Sequence, residues 1–97
     1  MKIYKTQAEV EADIKDGLLR VNDDIKIECN ININASIICW DLNCMNLNCM
    51  DLNCWDLSYY AIAVAYYKFK CKSVAGRRNN SKHFCLDSEV KITGEGK

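Results

Sequence analysis

A short, mainly β solenoid is the fold class that this 97-residue sequence predicts, and three observations predict it. Between Ile38 and Ser58 the chain repeats every five residues, as CWDLN, CMNLN, CMDLN and CWDLS. Leucine returns at Leu42, Leu47, Leu52 and Leu57, and cysteine at Cys39, Cys44, Cys49 and Cys54. A helix turns about 500° over five residues and would smear those leucines around its circumference, whereas a coiled ribbon of short strands repeats cleanly. The third observation flanks the repeat. Ile25, Ile27, Cys29, Ile31 and Ile33 alternate with other residues before it, and Tyr67, Phe69 and Cys71 alternate with Lys68, Lys70 and Lys72 after it. That is the period of a strand with one buried face.

Met1–Lys5 reads as a short strand. Thr6 followed by Glu9 is a capping-box pattern, Val10 and Ile14 lie four apart, and Gly17 can end the helix in a left-handed turn. These features predict one N-terminal helix over 7–16, placed as a cap on one end of the solenoid, where unpaired strand edges need cover. Leu18–Val21 is a strand, Asn22–Asp24 a turn, and Ile25–Ile33 opens the solenoid. After the pentads, Tyr59–Val64 and the Lys68–Lys72 segment are strands, the second with a basic outer face. Gly76–Lys82 (GRRNNSK) is a polar loop. Phe84–Leu86 and Val90–Ile92 are the last strands, and Thr93–Lys97 is a frayed tail. The chain is one domain over 1–97: a helix-containing cap at 1–24, the solenoid at 25–75, and the basic loop with C-terminal strands at 76–97.

Leucine and cysteine of the pentad face inward, because a narrow lumen packed at interior density has no room for Trp40, Met45, Met50 and Trp55 beside four leucines. Tryptophan and methionine then stand near the corners, and Asp41, Asn46, Asp51 and Asp56 make corner hydrogen bonds. The outward apolar residues Trp40, Met45, Met50 and Trp55 are candidate dimer contacts, since two coils alone bury little.

At these residues the chain resembles pentapeptide-repeat proteins. Asp41–Leu42, Asn46–Leu47, Asp51–Leu52 and Asp56–Leu57 match the family's central pair, while Trp40, Met45, Met50 and Trp55 replace its preceding small residue. The resemblance implies a short right-handed β-helix, four-sided, with about twenty residues per coil. Leu42 would then stack under Ile62, Cys44 under Val64, Leu47 under Tyr67 and Cys49 under Phe69, with a break where Leu52 would meet Lys72. The overall style of the chain also resembles small accessory proteins of bacterial prophages. That resemblance implies a phage–host role, such as inhibition of a host defence nuclease in the manner of anti-CRISPR proteins.

Composition narrows the function classes. No apolar run is long enough to span a membrane, and the N-terminus lacks the apolar segment of a signal peptide. Seven cysteines, odd in number and spaced by the repeat, read as reduced thiols of a cytoplasmic protein. Four of them converging on one coil could in principle hold a soft metal. Lumen filling is the favoured reading, so no metal and no cofactor are expected. His83 near Cys85 and Asp87 carries no oxyanion site and does not point to an enzyme.

Charge is zero overall but segregated: residues 1–57 carry ten acids against five bases, and 58–97 carry eight bases against three acids. The cluster Lys68, Lys70, Lys72, Arg77, Arg78 and Lys82 is the candidate partner-binding surface. The expected function is a non-catalytic protein-interaction module, an inhibitor acting by surface occlusion on a host enzyme or nuclease. It is expected to be a homodimer with no membrane partner. The alternatives are a small nucleic-acid binder using segment 68–82, with Tyr59, Tyr60, Tyr66 and Tyr67 nearby, and a self-assembling structural solenoid.

Overall fold

The computed structural model describes residues 1–93. A β-solenoid of about four turns forms, with one short N-terminal helix. The first level holds β1 (Lys2–Tyr4), α1 (Gln7–Ala12) and β2 (Leu18–Arg20); the second holds β3 (Ile25–Ile27), β4 (Ile31–Asn32) and β5 (Ser36–Ile38). The third contains β6 (Leu42–Asn43) and β7 (Leu47–Asn53), and the fourth β8 (Asp56–Tyr59) and β9 (Ile62–Cys71). The last coil is β10 (Ser73–Gly76), β11 (Lys82–Cys85) and β12 (Val90–Ile92). The strands stack in parallel: β1-β3-β6-β8-β10 form one wall.

The other walls share their long strands. β7 pairs with β4 through Leu47 and Asn48 and with β5 through Leu52 and Asn53, shifting register between Cys49 and Asp51. β7 therefore bends around a corner, and β9 above it does the same. The second wall is β4, the first halves of β7 and β9, and β11. The third is β2, β5, the second halves of β7 and β9, and β12.

The coil is thus three-walled, which corrects the four-sided, twenty-residue coil. Leu42 stacks on Leu57, fifteen residues on, Leu47 on Ala63 and Leu52 on Phe69. Leu42 does not meet Ile62, nor Leu47 Tyr67. Both Ile62 and Tyr67 face outward, 47% and 52% exposed. Cys49 stacks on Ala65, not Phe69, and Cys44, whose N–H donates to Ser58 O, stacks just past the Asn43–Ser58 pair and not under Val64, which pairs with Asn48. The clash of Leu52 with Lys72 disappears, and the two expected coils become about four turns. Three walls of five residues enclose six inward side chains, Leu42, Cys44, Leu47, Cys49, Leu52 and Cys54, all buried.

Neighbouring levels fill the same cross-section differently. The second level uses Ile25, Ile27, Ile31, Ile33, Ile37 and Cys39; the fourth sets Tyr59 and Phe69 against Ala63 and Ala65. Large rings and small alanines offset each other around one lumen. Gly76 lies level with Tyr59; a Cβ there would collide with the Ser81 side chain and press on the Tyr59 ring.

At the other end α1 closes the lumen. Thr6 Oγ1 accepts from Glu9 N–H (3.2 Å), and Glu9 Oε1 accepts from the Lys5 N–H (2.6 Å), one residue earlier than a standard capping box. Val10 is fully buried and packs into the core cluster. The helix stops at Ala12, short of the expected residue 16. Asp13 turns aside to accept from Tyr4 Oη at 2.7 Å and to pair with Lys2 at 3.3 Å. Gly17, at φ 74°, serves the turn into β2 instead of the helix end. Gln7 Oε1 accepts the Asn32 N–H, so the helix also caps the free edge of β4. The expected frayed tail, apart from Thr93, lies outside the described residues.

Candidate functional site

Each pentad contributes one wall and one corner, so the corners carry the repeat's outward residues in columns. At the corner between the third and first walls, Trp40 N–H donates to Asp23 O, Trp55 N–H to Trp40 O, and Lys72 N–H to Trp55 O. The column therefore runs Asp23, Trp40, Trp55, Lys72. The two indoles stack with centroids 5.2 Å apart and planes 2° from parallel, and Lys72 Nζ lies 4.8 Å from the Trp55 ring. Both tryptophans remain more than 40% exposed.

Beside that column runs a ladder of aspartates. Asp24 Oδ1 accepts the Asp41 N–H and Asp41 Oδ1 accepts the Asp56 N–H, each at 3.1 Å, while Asp56 Oδ1 accepts from Ser73 Oγ at 2.8 Å. Asn30 and Asn46 repeat the device at the next corner, Asn46 Oδ1 taking the Ala61 and Ile62 N–H groups. The pentad acid or amide is there because a corner leaves backbone N–H groups that the strand ladder cannot reach. Asp51 departs from this: its Oδ2 accepts from Ser36 Oγ at 3.3 Å and its buried Oδ1 has no partner among the described residues.

The four candidate dimer residues do not share a face. Trp40 and Trp55 form the column just described. Met45 lies at the corner between the first and second walls, where Tyr60 N–H donates to Met45 O. Met50 stands on the bend of β7, at the remaining corner.

The six candidate cations are likewise spread. Lys68 and Lys70 project from the third wall, and Lys72 sits at the tryptophan corner. Arg77 lies across the first wall, bonding Asn43 Oδ1 and Ser58 Oγ at 3.0 Å and Cys44 O. Arg78 stacks on Tyr60 and donates to its hydroxyl at 2.8 Å, and Lys82 opens β11 on the second wall, opposite Ile62. Sequence reading missed Lys91, which pairs with Lys70 in the ladder. Its approach depends on coil register across twenty-one residues and leaves no local signal. Asp51 is the ladder partner of Lys68, but among the described residues no carboxylate lies within ion-pair distance of Lys68, Lys70 or Lys91. A groove of about 520 Å³ runs along this wall between the Asp16–Gly17 turn and Lys68–Lys70.

Five of the seven thiols are buried in the lumen, and the imidazole is engaged internally. Burial pushes the Cys39 and Cys44 thiols up to about 12 and raises Cys49 as well; Cys54 is raised by its contact with Cys71 and by burial. Cys54 and Cys71 touch at 3.3 Å between successive coils, a stacking along the axis and not a ring around it. No group of three or more potential metal ligands occurs among the described residues. His83 points inward: its Nδ1 shares a 3.0 Å hydrogen bond with Tyr59 Oη. Cys85 and Ser88 Oγ make contact at 3.4 Å, and Ser88 Oγ donates to Tyr67 O. No described helix is long and apolar enough to cross a membrane. Compared with protein-family models, curated proteins and solved structures, the chain matches none.

Proposed function

We propose that the protein is a non-catalytic interaction module that occludes the surface of a protein partner. The outer face of the third wall, with Lys68, Lys70 and Lys91, is its docking face. One observation carries this reading: three exposed lysines stand on one parallel sheet and, among the described residues, none is in ion-pair contact with a carboxylate, Asp51 beside Lys68 included. Such a face speeds docking on an acidic surface and weakens with salt. The burial of five of the seven thiols and the internal hydrogen bond of His83 support a non-catalytic role. The prophage-like style of the chain supports a host enzyme, such as a defence nuclease, as the partner, met in the cytoplasm.

The test is affinity capture from a bacterial lysate, with and without nuclease treatment, using the natural chain and a Lys68→Glu/Lys70→Glu variant. A partner that survives nuclease and is lost with the charge reversals supports the reading. Loss on nuclease treatment transfers the face to nucleic acid, with the exposed Tyr67 beside the lysines as the stacking ring. Capture indifferent to the reversals removes the third wall as the docking face.

A further inference from the structure

We infer that a second copy of this chain docks, antiparallel, across the Trp40–Trp55 ridge. The inference stands apart from the third-wall reading and rests on the order of side chains in one column. Reading along the solenoid axis, the corner presents Asp23, Trp40, Trp55 and Lys72, one per level, fixed by successive backbone hydrogen bonds. The order is acid, indole, indole, cation. A two-fold axis set between the tryptophans and perpendicular to the solenoid reverses that order. Asp23 then faces the partner's Lys72, Trp40 faces the partner's Trp55, and both contacts recur by symmetry. A column that is its own complement under two-fold rotation fits an isologous dimer.

The chemistry of the column suits an interface centre. Two large rings, 41% and 44% exposed, already stacked at 5.2 Å, are rigid and carry little ordering cost. Opposite charges flank them at both ends: Lys72 is already held over the Trp55 ring, and Asp23, paired with the N-terminal ammonium at 2.8 Å, keeps 44% of its side chain exposed to a second cation. Within one chain the ends of the column cannot pair, because three strand spacings of about 4.8 Å separate Asp23 from Lys72 by about 14 Å. Coupling between these two residues therefore reports a contact between copies.

The same rotation brings Asp41 opposite the partner's Asp56 in the neighbouring ladder, a like-charge approach. Asp41→Asn keeps the Oδ1 that accepts the Asp56 N–H and removes the charge, so it sharpens the test.

Sedimentation equilibrium over micromolar to millimolar concentrations, with thermal melts as folding controls, decides the matter. The natural chain shows a monomer–dimer equilibrium. Trp40→Ala/Trp55→Ala weakens it by about 100-fold or more, as expected for central aromatic residues. Lys72→Glu alone and Asp23→Lys alone each weaken it by about tenfold, the double exchange restores it to within about threefold, and Asp41→Asn tightens it severalfold. A monomer at every concentration overturns the inference. So does a dimer that keeps its affinity without the two indoles, or a double exchange that fails to rescue in a chain that melts normally.

Discussion

The pentad coil, residues 42–57, and the last coil, residues 73–92, are built on the same three walls but differ in what covers them. In the pentad coil, leucines and cysteines lie between full coils on both sides, and every inward side chain is buried. In the last coil the inward positions pass to Val74, His83, Cys85 and Val90, which are half-buried, and no described strand lies beyond them. The polar groups of His83 and Cys85 find partners there, Tyr59 Oη for one and Ser88 Oγ for the other. A solenoid coil gains its core from its neighbours, so an end coil must either be capped, as α1 caps the start, or be built from smaller and more polar side chains.

The strongest way to break the comparison is a charge in the pentad lumen. Leu47→Asp places an unpaired carboxylate among buried leucines and costs several kcal/mol, enough to unfold a domain of this size. Asn53→Asp, outward on the same strand and exposed, leaves the melting temperature within a few degrees. Thermal melts of the two variants measure the contrast, and equal melting would invert the inside and outside of the repeat.

Cavity formation comes next. Leu52→Ala removes a fully enclosed side chain and costs about 3 kcal/mol, whereas Val90→Ala, in the same stack but half-covered, costs about 1 kcal/mol or less. Denaturant titrations compare them; a loss for Val90→Ala matching that for Leu52→Ala would show the last coil to be as well covered as the middle.

Thiols sharpen the same contrast chemically. Cys29 and Cys85, half-buried, react with a thiol reagent in the native protein, and Cys39, Cys44, Cys49, Cys54 and Cys71 react only after unfolding. The buried thiols also set a pH limit. Unfolded cysteine ionises near pH 8.5, whereas Cys39 and Cys44 hold their protons to about 12 in the fold. Their contribution is complete below about pH 8.5 and falls as pH rises toward 12, by roughly 1 to 2 kcal/mol for each thiol at pH 10. Unfolding titrations at pH 7 and pH 10 test the sign, and rising stability at alkaline pH would refute it.

The smallest effect concerns the tether between the two coils. Arg77 reaches from the end of β10 back to Asn43, Ser58 and Cys44 O. Arg77→Ala removes these bonds at a cost of about 1 kcal/mol. Amide exchange quickens in β10 and β11 before β7. Uniform exchange in all three strands would show that Arg77 tethers nothing.

Part of this arrangement was legible in the residues. The alternation of Lys68 and Lys70 with Phe69 and Cys71 marks an outward basic strand edge to edge with a buried one, and β9 has that pattern of burial. The pentad aspartates were legible as corner acceptors at Asp41 and Asp56. Lys91 beside Lys70, Arg77 across the first wall and His83 against Tyr59 were not, because each joins residues nineteen or more apart whose meeting depends on the number of residues per coil.

What the sequence determined by itself is the period: five residues from one inward leucine to the next, hence one wall and one corner per pentad, leucine and cysteine inside, aromatic and acidic residues at the corners. A period sets the length of a wall and is silent on how many walls close the coil. Only the tertiary structure decided that number. Three walls set six inward side chains around one buried lumen, and that closure dictates which columns form and which charges meet on the surface.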